Sequence, residues 1–244
     1  MARAGTSPLH VSLLPGFICR RQFEVIDLGD RQQKLIAALA LTEGPLHRED
    51  LACRLWPDVP APRATARLRQ TLWRLNQATD GELLQVSNAS IALREDVHVD
   101  YRLAARWAVP TAGRRGMAGS HDDFLGLWDL LRYPLLFGWD LDWLQPYQEK
   151  WELRRIQTLE ALAESFLGQG KHALVLELAD AAAQADPLRE GPRRIAVKSC
   201  LQADEIADAH RRFHQYRVLL REELGVDPSA AIPRMLWPSR TRAA

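Results

Sequence analysis

The chain has 244 residues, 47% of them hydrophobic and 26% charged, with 32 Lys and Arg against 31 Asp and Glu for a net charge of +1. That length holds one large or two modest domains, and that composition excludes a disordered chain. The balanced charge excludes any argument from a globally basic protein, so a nucleic-acid role has to rest on local charge.

Leu9, Val11 and Leu13 alternate with polar residues, and Phe23 to Leu28 closes on Gly29-Asp30, so two short strands are predicted. Leu35, Ile36, Leu39 and Ala40 then keep one side of a helix that runs to Thr42 and stops at Gly44-Pro45. A short helix follows from Arg48 to Trp56, stopped by Pro57, and the turn Val59-Pro60-Ala61-Pro62 places Pro62 in the first turn of a third helix reaching about Thr79. Asp80-Gly81 ends it, and Leu83 to Val86, Ser87 to Ser90 and Ile91 to Leu93 read as strand, turn and strand. Strand, strand, three helices and a closing hairpin is the order of a winged helix-turn-helix.

From Tyr101 the period is helical. Pro110 to Ser120 lacks an apolar pattern and reads as an exposed loop within the second domain. Phe124 to Leu131 comes next, then a turn at Tyr133-Pro134. A long helix from about Leu144 to Leu167 follows, with Leu153, Ile156, Leu159, Leu162, Ala163 and Phe166 on one side. Helices over Lys171 to Ala185, Arg193 to Leu201 and Ile206 to Leu224 are punctuated by Asp186-Pro187 and by Gly225 with Asp227-Pro228. Lys171-His172-Ala173 and Glu205-Ile206-Ala207 stand 34 residues apart at the same phase. By the same offset Leu162, Ala163 and Phe166 fall on Ala196, Val197 and Cys200, as in helix pairs of the tetratricopeptide type. The last helix is expected to run about seven residues past its counterpart and to cap a short array.

The most informative stretch is Val59 to Thr79, which holds Arg63, Arg67, Arg69 and Arg74 and no acidic residue. Winding it as a helix puts Ala64, Leu68, Leu72 and Leu75 on one face, with Arg63, Ala66, Gln70, Trp73, Arg74 and Gln77 opposite and Arg67 and Arg69 on the flanks. Arg pairs with guanine and Gln with adenine in the major groove, while flanking arginines suit phosphates, so the pattern is that of a recognition helix. Arg48, and Arg31 with Gln32, lie near helix starts where backbone amides also face phosphates. The hairpin tip, with Ser87 and Asn88, offers only hydrogen bonds to sugar or phosphate. Trp73 on the open face either packs on the hairpin, as a plain surface indole would, or rests on a sugar, a thymine methyl or a partner surface. Trp56, Trp107, Trp128, Trp139, Trp143, Trp151 and Trp237 are expected in core or interdomain packing.

Signals for catalysis are poor. Gly168-Gln169-Gly170-Lys171 has Ser165 where a phosphate loop needs its first glycine and His172 where it needs Ser or Thr. His210 and His214 have a metal-sharing spacing, but no glutamate and no third ligand accompany them. Cys19, Cys53 and Cys200 stand far apart with no CxxC pair, which suits a reducing cytosol and inert thiols. The N-terminus lacks a signal-peptide core, and the longest apolar run, Leu35 to Leu41, is far below the ~20 residues of a membrane span. No cofactor, no metal, no catalytic residue and no membrane partner are expected, in a cytoplasmic protein.

Several stretches together carry a family resemblance. They are His47-Arg48-Glu49-Asp50-Leu51-Ala52 with Leu55-Trp56-Pro57-Asp58, then Ala66 to Leu75 (ARLRQTLWRL), then Val97-His98-Val99-Asp100. Further on come Leu135-Leu136-Phe137-Gly138-Trp139-Asp140, Asp186-Pro187-Leu188-Arg189-Glu190 and Leu220 to Pro228 (LREELGVDP). In these the chain resembles the Streptomyces antibiotic regulatory protein (SARP) type of bacterial transcriptional activators, over most of its length. The resemblance implies a response-regulator type winged helix, an all-helical bacterial transcriptional activator domain, binding to direct repeats near promoters, contacts with RNA polymerase and activation of a nearby gene cluster.

The expected fold is mainly α with small β: an N-terminal winged helix-turn-helix over residues 7–98, then an all-α tetratricopeptide-like domain over 99–236 with a loop at 108–120 and a tail at 237–244. The expected function is sequence-specific DNA binding by a non-enzymatic transcriptional regulator that recruits RNA polymerase. Double-stranded DNA, polymerase and a second copy of the chain are its expected partners. Arg63, Gln70, Arg74 and Gln77 are assigned to base edges or adjoining phosphates, Arg48, Arg67 and Arg69 to phosphates, and Ser87 and Asn88 to the wing. The competing readings are a tetratricopeptide-like interaction scaffold with little DNA affinity and a metal enzyme built on His210 and His214.

Overall fold

Leu9, Val11 and Leu13 turn inward while His10 and Ser12 are half-exposed, the two-residue period of a strand with one buried face. A computed structural model describes residues 8–107 and 121–238, so the loop expected at 108–120 and most of the expected tail lie outside the described residues. The elements in order are β1 (Leu9–Ser12), β2 (Ile18–Arg21), β3 (Glu24–Val25), α1 (Asp30–Leu41), β4 (Leu46–His47), α2 (Arg48–Leu55), α3 (Ala61–Ala78), β5 (Leu84–Val86), β6 (Ser90–Leu93) and β7 (His98–Val99). They are followed by α4 (Asp100–Trp107), α5 (His121–Leu131), α6 (Gln145–Leu167), α7 (His172–Ala185), α8 (Glu190–Gln202), α9 (Ile206–Leu224) and α10 (Ala231–Leu236). The chain divides into two compact units, one holding the described residues up to Trp107 and from 121 to Trp151, the other holding those from Glu152 onward.

In the first unit a four-stranded sheet has the order β3-β2-β1-β7, with β1 antiparallel to β2 and parallel to β7. A three-stranded sheet, β4-β6-β5, makes the wing. Helix α1 is buried along Leu35 to Leu41, and the unit's core includes Leu51 of α2, Leu68 and Leu75 of α3, Leu83 and Ile91. Burial pushes the Cys19 thiol up to about 11, which keeps it protonated and inert; Cys200 is also buried and raised, while Cys53 is exposed.

The strand expected over Phe23 to Leu28 is only Glu24–Val25, because Phe23 stands fully exposed after a turn through Gln22 at φ 53°. The true partner of β1 is β2, whose single inward residue is Cys19, too sparse a pattern to register as an alternation. The two-residue strands β4 and β7 are likewise too short for any periodicity.

Asp100, the first residue of α4, accepts hydrogen bonds from the backbone N–H groups of Leu13 (2.8 and 3.0 Å), Leu14 (3.1 Å) and Tyr101 (2.6 Å). Two residues on, Arg102 donates to the carbonyls of Leu39, Ala40 and Thr42 at the end of α1, at 2.9, 2.9 and 3.1 Å. A carboxylate at a helix start and a cation over a helix end both match the backbone dipole.

The second unit is a stack of antiparallel helices. Gly170 (φ 70°) and Asp204 (φ 60°) are left-handed at the two equivalent turns, and the bonds Lys171 N–H to Phe166 O (3.1 Å) and Glu205 N–H to Cys200 O (2.8 Å) repeat at the 34-residue offset. Helix α9 outruns α7 by five residues, slightly fewer than expected. Its far end is covered by α10, a short helix with no periodic signal in the sequence because Pro233 interrupts its apolar pattern. Ile232 and Leu236 of α10 pack with Val197, Phe213, Tyr216 and Leu220. Helix α8 begins at Glu190, before the expected Arg193, since an acid and Pro192 both suit a first turn. Leu153 is exposed on α6, contrary to expectation, whereas Ile156, Leu159, Leu162 and Ala163 are buried. Trp151 is fully buried, while Trp237 is 56% exposed and packs edge-on to Phe213 of the core at 5.8 Å.

Candidate nucleic-acid interface

Pro60 opens α3 by accepting from the N–H groups of Arg63 (2.9 Å) and Ala64 (3.0 Å), with Pro62 in the first turn where its missing N–H leaves nothing unpaired. Ala64, Leu68, Thr71, Leu72 and Leu75 then bury one side of this 18-residue helix. Thr71 disposes of its hydroxyl on the Arg67 carbonyl at 2.9 Å, which lets a polar residue sit in the apolar seam. Short α2 precedes the turn, and Leu51 and Ala52 fix it against the same core.

Arg63, Arg67, Arg69, Gln70, Arg74 and Gln77 all stand exposed on the remaining side. The ion pairs of the described residues involve none of the four arginines, although Arg21, Arg94, Arg189 and Arg212 are each held by a carboxylate. Four open guanidiniums on one helix with no acid among them make a local positive field that the net charge conceals. Trp73 lies among them with 63% of its surface open, so the hairpin does not cover it and the packing expectation for this indole fails.

Arg48 is half-exposed at the start of α2. Its Nε and Nη2 donate to the Ser87 carbonyl at 3.2 and 3.1 Å, and its backbone N–H donates to Ala89 O at 3.0 Å. Ser87 is exposed, but its hydroxyl is 2.9 Å from both the N–H and the hydroxyl of Ser90, which stiffens the wing tip. Asn88 stands exposed between them. The structure therefore brings Arg48, Ser87 and Asn88 together in one cluster and the α3 residues in another. The Arg48 clasp was not foreseen, since its two ends lie 39 residues apart and only the β4–β6 pairing joins them. Gln32 caps α1, its Oε1 accepting from Gly29 N–H at 2.8 Å, which occupies it otherwise than on a phosphate; Arg31 stays exposed.

Among the described residues no group of three or more His, Cys, Asp or Glu is placed to hold a metal. The His210 ring packs edge-on to Trp237 at 5.2 Å, and His214 Nδ1 lies 3.4 Å from Arg217. No helix of the described residues is long and apolar enough to cross a membrane.

Residues 118–236 match the family model of the bacterial transcriptional activator domain. The chain is 31% identical over 225 residues to the regulatory protein AfsR of Streptomyces coelicolor, and 30% identical over 217 residues to the protein of that name from Streptomyces griseus. Those alignments take in 88% and 85% of this chain but only 22% of either relative, so the chain spans about a fifth of their length. Among solved structures, Mycobacterium tuberculosis EmbR, determined in complex with a low-affinity phosphopeptide, superposes with a TM-score of 0.69 at 19% identity, covering 93% of this chain and 64% of that one. This likeness shows the fold: a winged helix-turn-helix followed by a tetratricopeptide-like helical domain.

Proposed function

We propose that this chain, a SARP-type protein with a bacterial transcriptional activator domain over residues 118–236, is a sequence-specific DNA-binding transcriptional activator. The observation that carries this reading is the side of α3 where Arg63, Arg67, Arg69 and Arg74 stand exposed and without acidic partners, directly after the turn that follows α2. Such a helix lies in the major groove, with Arg63, Gln70, Arg74 and Gln77 at base edges or adjoining phosphates and Arg67 and Arg69 neutralising phosphates. Arg48, Ser87 and Asn88 approach the backbone beside the groove.

The winged helix over 7–98 would deliver the helical domain over 99–236 to a promoter, where repeated sites hold neighbouring copies and the helical domain contacts RNA polymerase. Its mechanism is recruitment, not catalysis, and its place is the cytoplasm. The test is binding of the full chain to DNA from upstream of its own gene, titrated with salt. A sub-micromolar complex that weakens steeply with salt, and that footprints repeated sites, supports the proposal. Equal, weak binding to every duplex leaves an interaction scaffold instead.

A further inference from the structure

Trp73 occupies the middle of the open side of α3. At 100° per residue Gln70, Trp73 and Gln77 fall within about 60° of one another, with Arg74 beside them. An indole that is 63% open is unfavourable in water, and the ring contacts of the described residues do not include it. Its surroundings narrow the occupant that covers it. Arg67, Arg69 and Arg74 are exposed and carry no acidic partner, so whatever covers the indole is strongly anionic and yet offers an apolar group at its centre.

Duplex DNA has this combination in the major groove, where phosphates line the rims and the C5-methyl of thymine projects from the floor. We infer that Trp73 is a specificity-determining residue that packs on a thymine methyl, so that the preferred site holds a thymine under the centre of α3. Its glutamine neighbours complement this role, because a glutamine amide pairs with adenine N6 and N7, and the adenine paired with that thymine, or one at the next step, is within the same stretch of groove. This inference rests on α3 being the recognition helix.

The experiment enriches a binding site from a random duplex pool with the full chain, then replaces each thymine of that site with deoxyuridine, one at a time. Deoxyuridine keeps every hydrogen bond and removes only the methyl. The wild-type chain is expected to bind about fourfold more weakly at one such position, the effect of one buried methyl-sized group. Trp73→Ala is expected to bind the thymine and uracil duplexes equally while keeping its salt slope. A wild-type chain indifferent to uracil at every position, or a Trp73→Ala chain that still discriminates, overturns the inference. If Trp73→Ala loses all measurable binding, Trp73→Phe decides: a retained preference for thymine supports the apolar contact, and indifference overturns it. Failure to enrich any site, with no salt-dependent binding, would instead overturn the recognition-helix reading, and it is seen before any uracil duplex is made.

Discussion

Arg48 and Ser87 lie 39 residues apart and are joined by a forked contact, Nε and Nη2 of the guanidinium on one carbonyl oxygen at 3.2 and 3.1 Å. The contact ties the start of the first helix of the helix-turn-helix to the tip of the wing. Arg48→Ala is expected to cost about 0.5–1.5 kcal/mol, since two hydrogen bonds to an exposed carbonyl are lost to water. Arg48→Lys separates the two roles of this side chain. It keeps the charge, hence the salt dependence of DNA binding, but cannot form the fork, so its melting temperature should fall nearly as far as that of Arg48→Ala.

Arg67 and Gln70 occupy the same open surface but are assigned different work. Arg67→Ala is expected to weaken binding to all duplexes alike and to lower the slope of log K against log salt by about one unit. Gln70→Ala is expected to leave that slope unchanged and relax preference at one base pair. Salt titrations on the enriched site and on scrambled DNA measure both, and an unchanged slope in Arg67→Ala removes it from the phosphate contacts.

In the second unit Gly191 admits the Glu160 carboxylate so closely that a β-carbon there would sit 2.1 Å from Oε1. Glu160 is held in a fork by Arg189 at 2.9 and 2.8 Å. Gly191→Ala should therefore displace the carboxylate, break the fork and destabilise by about 1 kcal/mol. In a Glu160→Ala background the same change should stabilise by up to about 1 kcal/mol, because alanine is the better helix former. Urea unfolding of the four chains in this cycle reads the change of sign.

Burial raises the Asp100 carboxyl above its usual 3.8, against the pull of the Leu13, Leu14 and Tyr101 amides and of Arg20. A raised folded-state value means the folded chain holds this proton more tightly than the unfolded one. Its contribution is then fully present below pH 3.8 and is lost as pH rises through the folded value. Asp100→Asn should abolish that slope in the window just above pH 3.8 and lower stability by about 1–3 kcal/mol by leaving a buried amide unpaired. Urea midpoints of both chains across pH 3 to 7 test it.

The elements readable from sequence were those with a long period or strong punctuation. The order of α1, α2 and α3 followed from Leu35, Ile36 and Leu39, from Pro57 and from Pro60 with Pro62. The face of α3 followed from the spacing of Leu68, Leu72 and Leu75 against the arginines. The 34-residue repeat was visible in small residues such as Ala163 and Val197 and is realised in the paired left-handed turns at Gly170 and Asp204. What stayed hidden was non-local or too short. Strand β7 has two residues and is defined only by its parallel neighbour β1. Helix α10 hides behind Pro233, and the Arg48 clasp exists only once β4 and β6 have paired. For Trp73 the sequence leaves packing on the hairpin and contact with a partner as alternatives, and the fold shows the indole 63% open.

Gene control by this chain requires that the arginine side of α3 lie in the major groove. Dimethyl sulfate decides this within one duplex, because it methylates guanine N7 on the major-groove side and adenine N3 on the minor-groove side. With the enriched site partly methylated, bound and free DNA are separated and compared for the wild-type chain and for Arg74→Ala. Guanine methylation at a few positions should exclude DNA from the wild-type complex, and Arg74→Ala should become indifferent at one of them, while adenine methylation at those steps has little effect. Bound DNA as rich in N7-methylguanine as free DNA would contradict a major-groove role for α3.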